Sequence, residues 1–195
     1  MGRRIAIIQG HPDGSAARFC HALAAAYEGS ARAAGHEIRR IEVAAMDIAP
    51  LRSRTQWQDD GPSSQVAQAQ QTIEWAQHLV IFYPLWLGSM PALLKAFFEQ
   101  VFRPGFAVDR DRSELAWHKR LRGRSARIVI TMGMPVLIYR CYFLSHSLKT
   151  LERNILGFCG IKPVRASLIG LVDAPDPGRR NGWLQKMTRL GYKGV

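Results

Sequence analysis

The chain has only three cysteines in 195 residues, Cys20, Cys141 and Cys159, far apart and without a CxxC pair. That excludes a disulfide framework and a cysteine zinc site, and it fits a reducing compartment such as the cytoplasm. Uninterrupted apolar length is also missing. Leu79 to Phe98 approaches the span of a bilayer, but Pro84, Gly88 and Pro91 break it and Lys95 charges it, so a buried strand followed by a buried helix is expected and no membrane span. The apolar run Ile5 to Ile8 is too short for a signal peptide and no small-residue cleavage site follows. It reads as a first strand. Acidic residues are scarce: 15 Asp and Glu face 27 Lys and Arg, a formal net charge of +12, which favours phosphate-bearing partners. No internal repeat or long linker is present, so one domain is expected over the whole chain.

Apolar periodicity alternates between two kinds. Ile5 to Gln9 is a β-branched run ended by Gly10-His11-Pro12-Asp13-Gly14, and Ser15 to Ala34 is alanine-rich with Phe19, Leu23, Ala26 and Tyr27 at helical spacing. Gly35 closes that helix and Glu37 to Val43 alternates as a strand. Met46 to Pro62 reads as a long surface loop and Ser64 to Gln77 as an amphipathic helix. Leu79 to Tyr83 is continuously apolar, as in a strand covered on both faces. Ser89 is expected to cap a helix with Pro91 in its first turn that runs to about Phe102. Arg127 to Met132, Val136 to Leu156, Val164 to Leu171 and Asp176 to Leu190 complete the pattern as strand, helix, strand and helix. Five strands alternating with helices predict an α/β domain, a doubly wound parallel sheet with helices on both faces.

Ligands of such sheets sit beyond the carboxyl ends of the strands. After the first strand, in Gly10 to Arg18, the Ser15 hydroxyl, backbone N-H groups, a helix N-terminus and Arg18 can together hold a phosphate, although neither GxxxxGK[ST] nor GxGxxG is present. After the third, Tyr83-Pro84-Leu85-Trp86-Leu87-Gly88-Ser89-Met90-Pro91 joins a large aromatic to backbone donors, which suits a flat heteroaromatic ring. After the fourth, Thr131-Met132-Gly133-Met134-Pro135 brings main-chain amides to the same rim.

Taken together, the segments Tyr83-Pro84-Leu85-Trp86, Met90 to Lys95 and Val101 to Ala107, with Gly10 to Asp13 and Ala45 to Pro50, resemble the flavodoxin-like NAD(P)H:quinone oxidoreductase family. The resemblance covers nearly the whole chain. It implies a five-stranded sheet of order 2-1-3-4-5 and a bound flavin, FAD or FMN. By that resemblance His11, Ser15, Arg18 and Phe19 surround the flavin phosphate. Pro84, Leu85, Trp86, Leu87 and Gly88 contact the isoalloxazine edge, and Thr131, Met132 and Gly133 close the other side. Tyr139 takes the position of the family's active-site tyrosine, and His146 lies near that of its histidine. The sequence departs from the family where Met134 replaces a second glycine and Leu87 a second aromatic.

The implied activity is ping-pong hydride transfer from NADPH or NADH, through the flavin, to a quinone or similar acceptor. Tyr139 and His146 are the candidate catalytic donors, and the surplus of cations favours NADPH. The resemblance further implies a homodimer, with Trp117, Phe143 and Trp183 as exposed interface aromatics. Two other readings stand beside it. One is a non-enzymatic subunit that keeps the fold, resting on Met134-Pro135. The other is nucleic-acid binding by the run His118, Lys119, Arg120, Arg122, Arg124 and Arg127, for which a solvated loop is the simpler account and no nucleic-acid partner is expected.

Overall fold

The computed structural model describes residues 2–109 and 117–195. In chain order the elements begin with β1 (Arg4–Gln9), α1 (Phe19–Ala33), β2 (Glu37–Glu42), α2 (Arg54–Gln58), α3 (Ser64–Trp75), β3 (His78–Pro84) and α4 (Ala92–Val101). A two-residue pair, β4 (Val108–Asp109) and β5 (His118–Lys119), precedes β6 (Ser125–Thr131). Then come α5 (Val136–Cys141), α6 (His146–Lys149), a π-helical turn (Thr150–Leu156), α7 (Gly157–Cys159), β7 (Val164–Ile169) and α8 (Pro177–Lys193).

Every contact in the main sheet is parallel, in the order β2-β1-β3-β6-β7. With β4 and β5 set apart as their own antiparallel pair, this is the expected order 2-1-3-4-5. Alternation along the strands separates two cores. Ile5, Ile7, Val80, Phe82, Val129 and Ile169 face α1 and α8. Ala6, Ile8, Leu79, Ile81, Ile128 and Ile130 face the other way, against Leu94, Phe97 and Phe98 of α4. All seven residues of β3 are buried, and each large apolar side chain so placed contributes roughly 1.5–3 kcal/mol. Two covered faces leave only the strand ends for chemistry. Among the described residues no helix is long and apolar enough to cross a membrane, and Leu79 to Phe98 divides into β3 and α4.

Several sequence expectations are corrected. α1 begins at Phe19 rather than Ser15, and β6 at Ser125 rather than Arg127. Met46 to Pro62 is not all loop, because Ser53 accepts the Gln56 N-H and starts α2. Ser89 does not cap α4, whose cap position is Pro91; its amide and carbonyl are both paired with Trp86. The expected helix from Val136 to Leu156 breaks at Leu144 and Ser145, both at positive φ, and resumes as α6. The break has a cause: the Tyr139 hydroxyl accepts the Leu148 N-H at 2.9 Å and the Tyr139 carbonyl accepts the Ser145 N-H at 3.1 Å, bonds a continuous helix could not make. β7 stops at Ile169 because Leu171 is left-handed and Gly170 passes the Met134 carbonyl too closely for a side chain.

The run from His118 to Arg127 is not a solvated loop either. Lys119 donates to the Gly157 carbonyl, Arg120 pairs with Asp109, and Arg124 donates to the Ile73 and Glu74 carbonyls. Arg127 is buried and donates to Ser167.

At the amino end of the sheet, His78 is buried with its Nδ1 against the Ser125 hydroxyl at 2.8 Å. Burial, then the charges of Arg3, Arg127 and Arg165, push its pKa down to about 3; the Tyr27 phenol, also buried, lies in the same charge field. The hydrogen bond to Ser125 favours the proton, but burial and the three arginines outweigh it. The unfolded chain binds this proton near pH 6.5 and the folded one does not until about 3. Stability is therefore complete above pH 6.5 and is lost as pH falls through that window, at up to about 1.4 kcal/mol per pH unit for one proton. Urea unfolding followed between pH 7 and 4 should show this slope, and His78→Gln should reduce it; an unchanged slope would assign the acid sensitivity elsewhere.

Candidate functional site

β1 ends on the buried amide of Gln9, whose Oε1 accepts from the His11 N-H at 3.2 Å and the Cys20 thiol at 3.4 Å. Gly10 then donates to the Phe82 carbonyl at 2.7 Å. A side chain at Gly10 would meet the Leu94 methyls of α4 at 2.6 Å and the Phe82 carbonyl at 3.0 Å, so glycine lets the loop pass close to β3 and α4. His11 is buried, and its Nδ1 accepts the Asp13 N-H at 3.0 Å. That bond leaves the ring proton on Nε2, a donor. Burial, then the charge of His21, lowers the His11 pKa, which keeps the ring neutral at neutral pH.

Asp13 organises the next turn. Its carboxylate accepts the Ser15 N-H at 2.8 Å and Arg18 Nε at 2.7 Å, and these bonds, in that order, lower its pKa. The turn delivers the chain to α1, which has no acidic residue in its first turn and no side-chain cap. A fifteen-residue helix thus presents an uncompensated positive end beside Arg18. Cys20, close by, is inert: burial pushes its thiol pKa up to about 12.

The loop after β3 turns back on itself. Trp86 and Ser89 exchange both backbone hydrogen bonds at 2.9 Å, with Leu87 at φ 48 and Gly88 at φ 76 between them. Two successive positive φ values mark a tight hairpin of the primed kind, which disfavours leucine. The Phe143 ring lies 2.7 Å from where a Gly88 side chain would begin, so this helix break supports the hairpin from behind. Trp86 stands half exposed, edge-on to the His11 ring at 5.9 Å between centroids. The Leu85 N-H donates to the Thr131 carbonyl at 2.7 Å and ties this loop to the end of β6.

These three loops and the segment after β7 enclose a cavity of about 610 Å³. Nine of the expected residues line it: His11, Arg18, Phe19, Pro84, Leu85, Trp86, Thr131, Met132 and Gly133. Ser15, Leu87 and Gly88 do not line it; the Ser15 amide is spent on Asp13 and Leu87 points fully into solvent. The expected backbone donors are also reassigned. Pro84 has none, Leu85, Trp86 and Met132 have given theirs to Thr131, Ser89 and Ile169, and the amides without backbone acceptors are those of Leu87, Gly88 and Gly133. Met134 packs on the core instead of in the cavity, so the lost second glycine does not close the site.

Neither expected catalytic donor reaches the cavity. Tyr139 is fully buried with its hydroxyl bonded to Leu148 and its ring stacked on Phe143, 6.5 Å between centroids. His146 is exposed at the start of α6. Sequence reasoning missed Asp13, Ala17, Cys20, Val172, Asp173 and Arg180 as wall residues. Arg180 lies over the Phe19 ring at 4.5 Å, and beyond that pair a second recess of about 620 Å³ continues between Val172, Asp173 and α8. The turn-rich stretch Asp173-Ala174-Pro175-Asp176-Pro177 was the available signal, since it follows a fifth strand at the same edge.

Residues 3–188 match the family described as flavodoxin-like fold. The chain belongs to that family. A curated relative from Haemophilus influenzae, named an uncharacterized NAD(P)H oxidoreductase, is 26% identical over 92% of this chain and 89% of its own length. Among solved structures, an NAD(P)H:quinone oxidoreductase from Methanothermobacter marburgensis superposes with a TM-score of 0.84 at 21% identity over the full length of both chains. An FMN-dependent NADH-azoreductase from Bacillus anthracis, solved with FMN, gives 0.75 at 15% identity, covering 100% of this chain and 97% of its own. Both structures share the fold described above.

The hairpin can be tested alone. Gly88→Ala adds a positive-φ penalty to a clash with Phe143 and should cost about 1–3 kcal/mol, against less than about 0.5 kcal/mol for Leu87→Ser. Thermal melts of the two variants check this, and equal melting temperatures would remove the hairpin's claimed strain.

Proposed function

We propose that the protein is a flavin-dependent NAD(P)H oxidoreductase that passes two electrons to a quinone or a similar planar acceptor. The single observation carrying this is the cavity between Trp86 and Gly133, which remains open and ends at the bare N-terminus of α1 beside Arg18. Its chemistry fits the cofactor: an aromatic wall for a ring, the free amide of Gly133 for the ring edge, and cationic and helix-end donors for phosphate. A bound flavin would supply hydride acceptance and donation. The chain's own part is orientation. His11, neutral with Nε2-H as donor, holds ligand oxygens without adding charge, Asp173 accepts from sugar or ribityl hydroxyls, and Trp86 shields one side from water. Tyr139 acts as a positioning residue: it anchors Phe143, which backs Gly88 and fixes the hairpin.

Between FAD and FMN the geometry favours FAD. The recess past Phe19 and Arg180 is large enough for a second phosphate and an adenosine, which FMN would leave empty. Arg180→Ala should weaken FAD about tenfold, the loss of one charge-assisted contact worth roughly 1.4 kcal/mol, and weaken FMN less. Flavin released from the purified protein, identified by mass, and anaerobic reduction by NADPH and NADH test the whole reading. A colourless protein that takes up neither flavin would instead favour the non-enzymatic subunit. Cations at Arg18 and Arg180 beside the cavity favour NADPH over NADH.

The same rim carries a large uncovered apolar face. Leu87, Leu137, Ile138, Tyr142 and Leu144 are exposed, whereas Trp117, Phe143 and Trp183, expected as interface aromatics, are half-buried against their own chain. Such a face marks an association surface, and a second copy covering it would complete the acceptor side of the cavity. Light scattering should give a dimer for the natural protein and a monomer for Ile138→Glu with Tyr142→Glu; a natural protein that is monomeric at micromolar concentration would contradict it.

A further inference from the structure

The net charge of +12 is not spread along the chain. Residues 1–118 carry twelve Lys and Arg against twelve Asp and Glu, while residues 119–195 carry fifteen against three. Much of the flavin-site rim, including Asp13 and Arg18, belongs to the balanced part, so the excess falls largely elsewhere.

Part of it converges on a groove of about 920 Å³ at the amino end of β7, the pole of the sheet opposite the cavity described above. Three segments build it: the approach to β6, the π-helical turn and the residues leading into β7. Lys119, Arg153 and Lys162 line it, with Glu152 as the one acidic residue and Phe158 and Pro163 as apolar walls. The two lysines are drawn to one spot. Lys119 Nζ donates to the Gly157 carbonyl at 3.2 Å, and the Lys162 Cε lies 3.6 Å from where a Gly157 side chain would begin. Among the described residues Lys119, Arg153 and Lys162 make no ion pair.

The groove is also preformed. Leu121 N-H donates to the Cys159 carbonyl, Lys162 N-H to the Arg124 carbonyl and Ala126 N-H to the Pro163 carbonyl, at 2.9–3.1 Å. These bonds knit the three segments together, so little ordering would accompany binding. Phe158 is partly exposed and held edge-on by Trp117 at 6.0 Å, an apolar surface beside the cations. A concave site suits a small molecule better than a flat bilayer or a convex duplex.

We propose that this groove is a second binding site, separate from the flavin cavity, for a small phosphorylated molecule bearing at least two negative charges and a flat apolar portion. The phosphates meet Lys119, Lys162 and Arg153, and the apolar portion lies on Phe158. The proposal does not depend on the flavin reading.

Calorimetric titration of the intact protein with inorganic pyrophosphate and with ATP tests it. The expected result is saturable binding of both that weakens at least tenfold in Arg153→Glu with Lys162→Glu and is unchanged in Arg18→Ala; ATP should bind more tightly, and Phe158→Ala should remove that advantage while leaving pyrophosphate unaffected. Arg153 and Lys162 are exposed, so the fold should survive, and Lys162→Gln is the milder variant should the double exchange fail to fold. Loss of binding in Arg18→Ala but not in the double variant would place the anion in the flavin cavity and overturn the proposal. So would the absence of saturation, or binding of duplex DNA with none of pyrophosphate or ATP.

Discussion

Two backbone hydrogen bonds hold the candidate site in shape: Gly10 N-H to the Phe82 carbonyl and Leu85 N-H to the Thr131 carbonyl, both at 2.7 Å. They join the loops after β1, β3 and β6 just where the regular ladder ends. A parallel sheet covered on both faces has little polar chemistry available in its middle. It must place its function at the strand ends, and these two bonds decide where each loop starts. With them fixed, Trp86 stands across from Thr131 and Gly133, and His11 turns its Nδ1 toward Asp13. The cavity follows from that constraint.

Around this frame the structure concentrates its unfavourable conformations. Leu87, Leu144 and Ser145 are all at positive φ without being glycine, and they meet through Phe143, which lies against Gly88 and stacks on Tyr139. Strain of about 1–3 kcal/mol per residue persists only where the surroundings over-determine it. Here the surroundings are the buried Tyr139 hydroxyl, shared with Leu148, and the reciprocal Trp86 and Ser89 pair. The strained residues also carry the exposed apolar face, so one local arrangement serves both the cavity wall and the association surface.

Much of this was legible in the sequence. Continuous apolar runs such as Leu79 to Tyr83 and the breaks at Gly10 and Pro84 marked the strands, and the loops after the first, third and fourth of them supplied nine of the wall residues. What escaped had physical causes. No glycine announces the break at Leu144, because a tertiary bond from Tyr139 imposes it. The inward turn of Tyr139 is invisible for the same reason, since a helical position does not reveal which hydroxyl finds a backbone donor. Arg180 and Asp173 were missed because they come from the far end of the chain and join the cavity only through the order of the sheet. Ser15, chosen for its hydroxyl, contributes its amide to Asp13 instead. The basic run from His118 to Arg127 was legible as charge but not as structure: Lys119, Arg124 and Arg127 reach carbonyls and a hydroxyl of neighbouring elements and Arg120 pairs with Asp109, which composition does not reveal.

A crystal structure of the protein soaked with flavin tests the central claim most directly. The account places the ring in the slot between Trp86 and Gly133, its edge toward the Gly133 amide and its phosphate at Arg18 and the start of α1. Density at another surface, or a Trp86 side chain folded into the slot in its place, would contradict it.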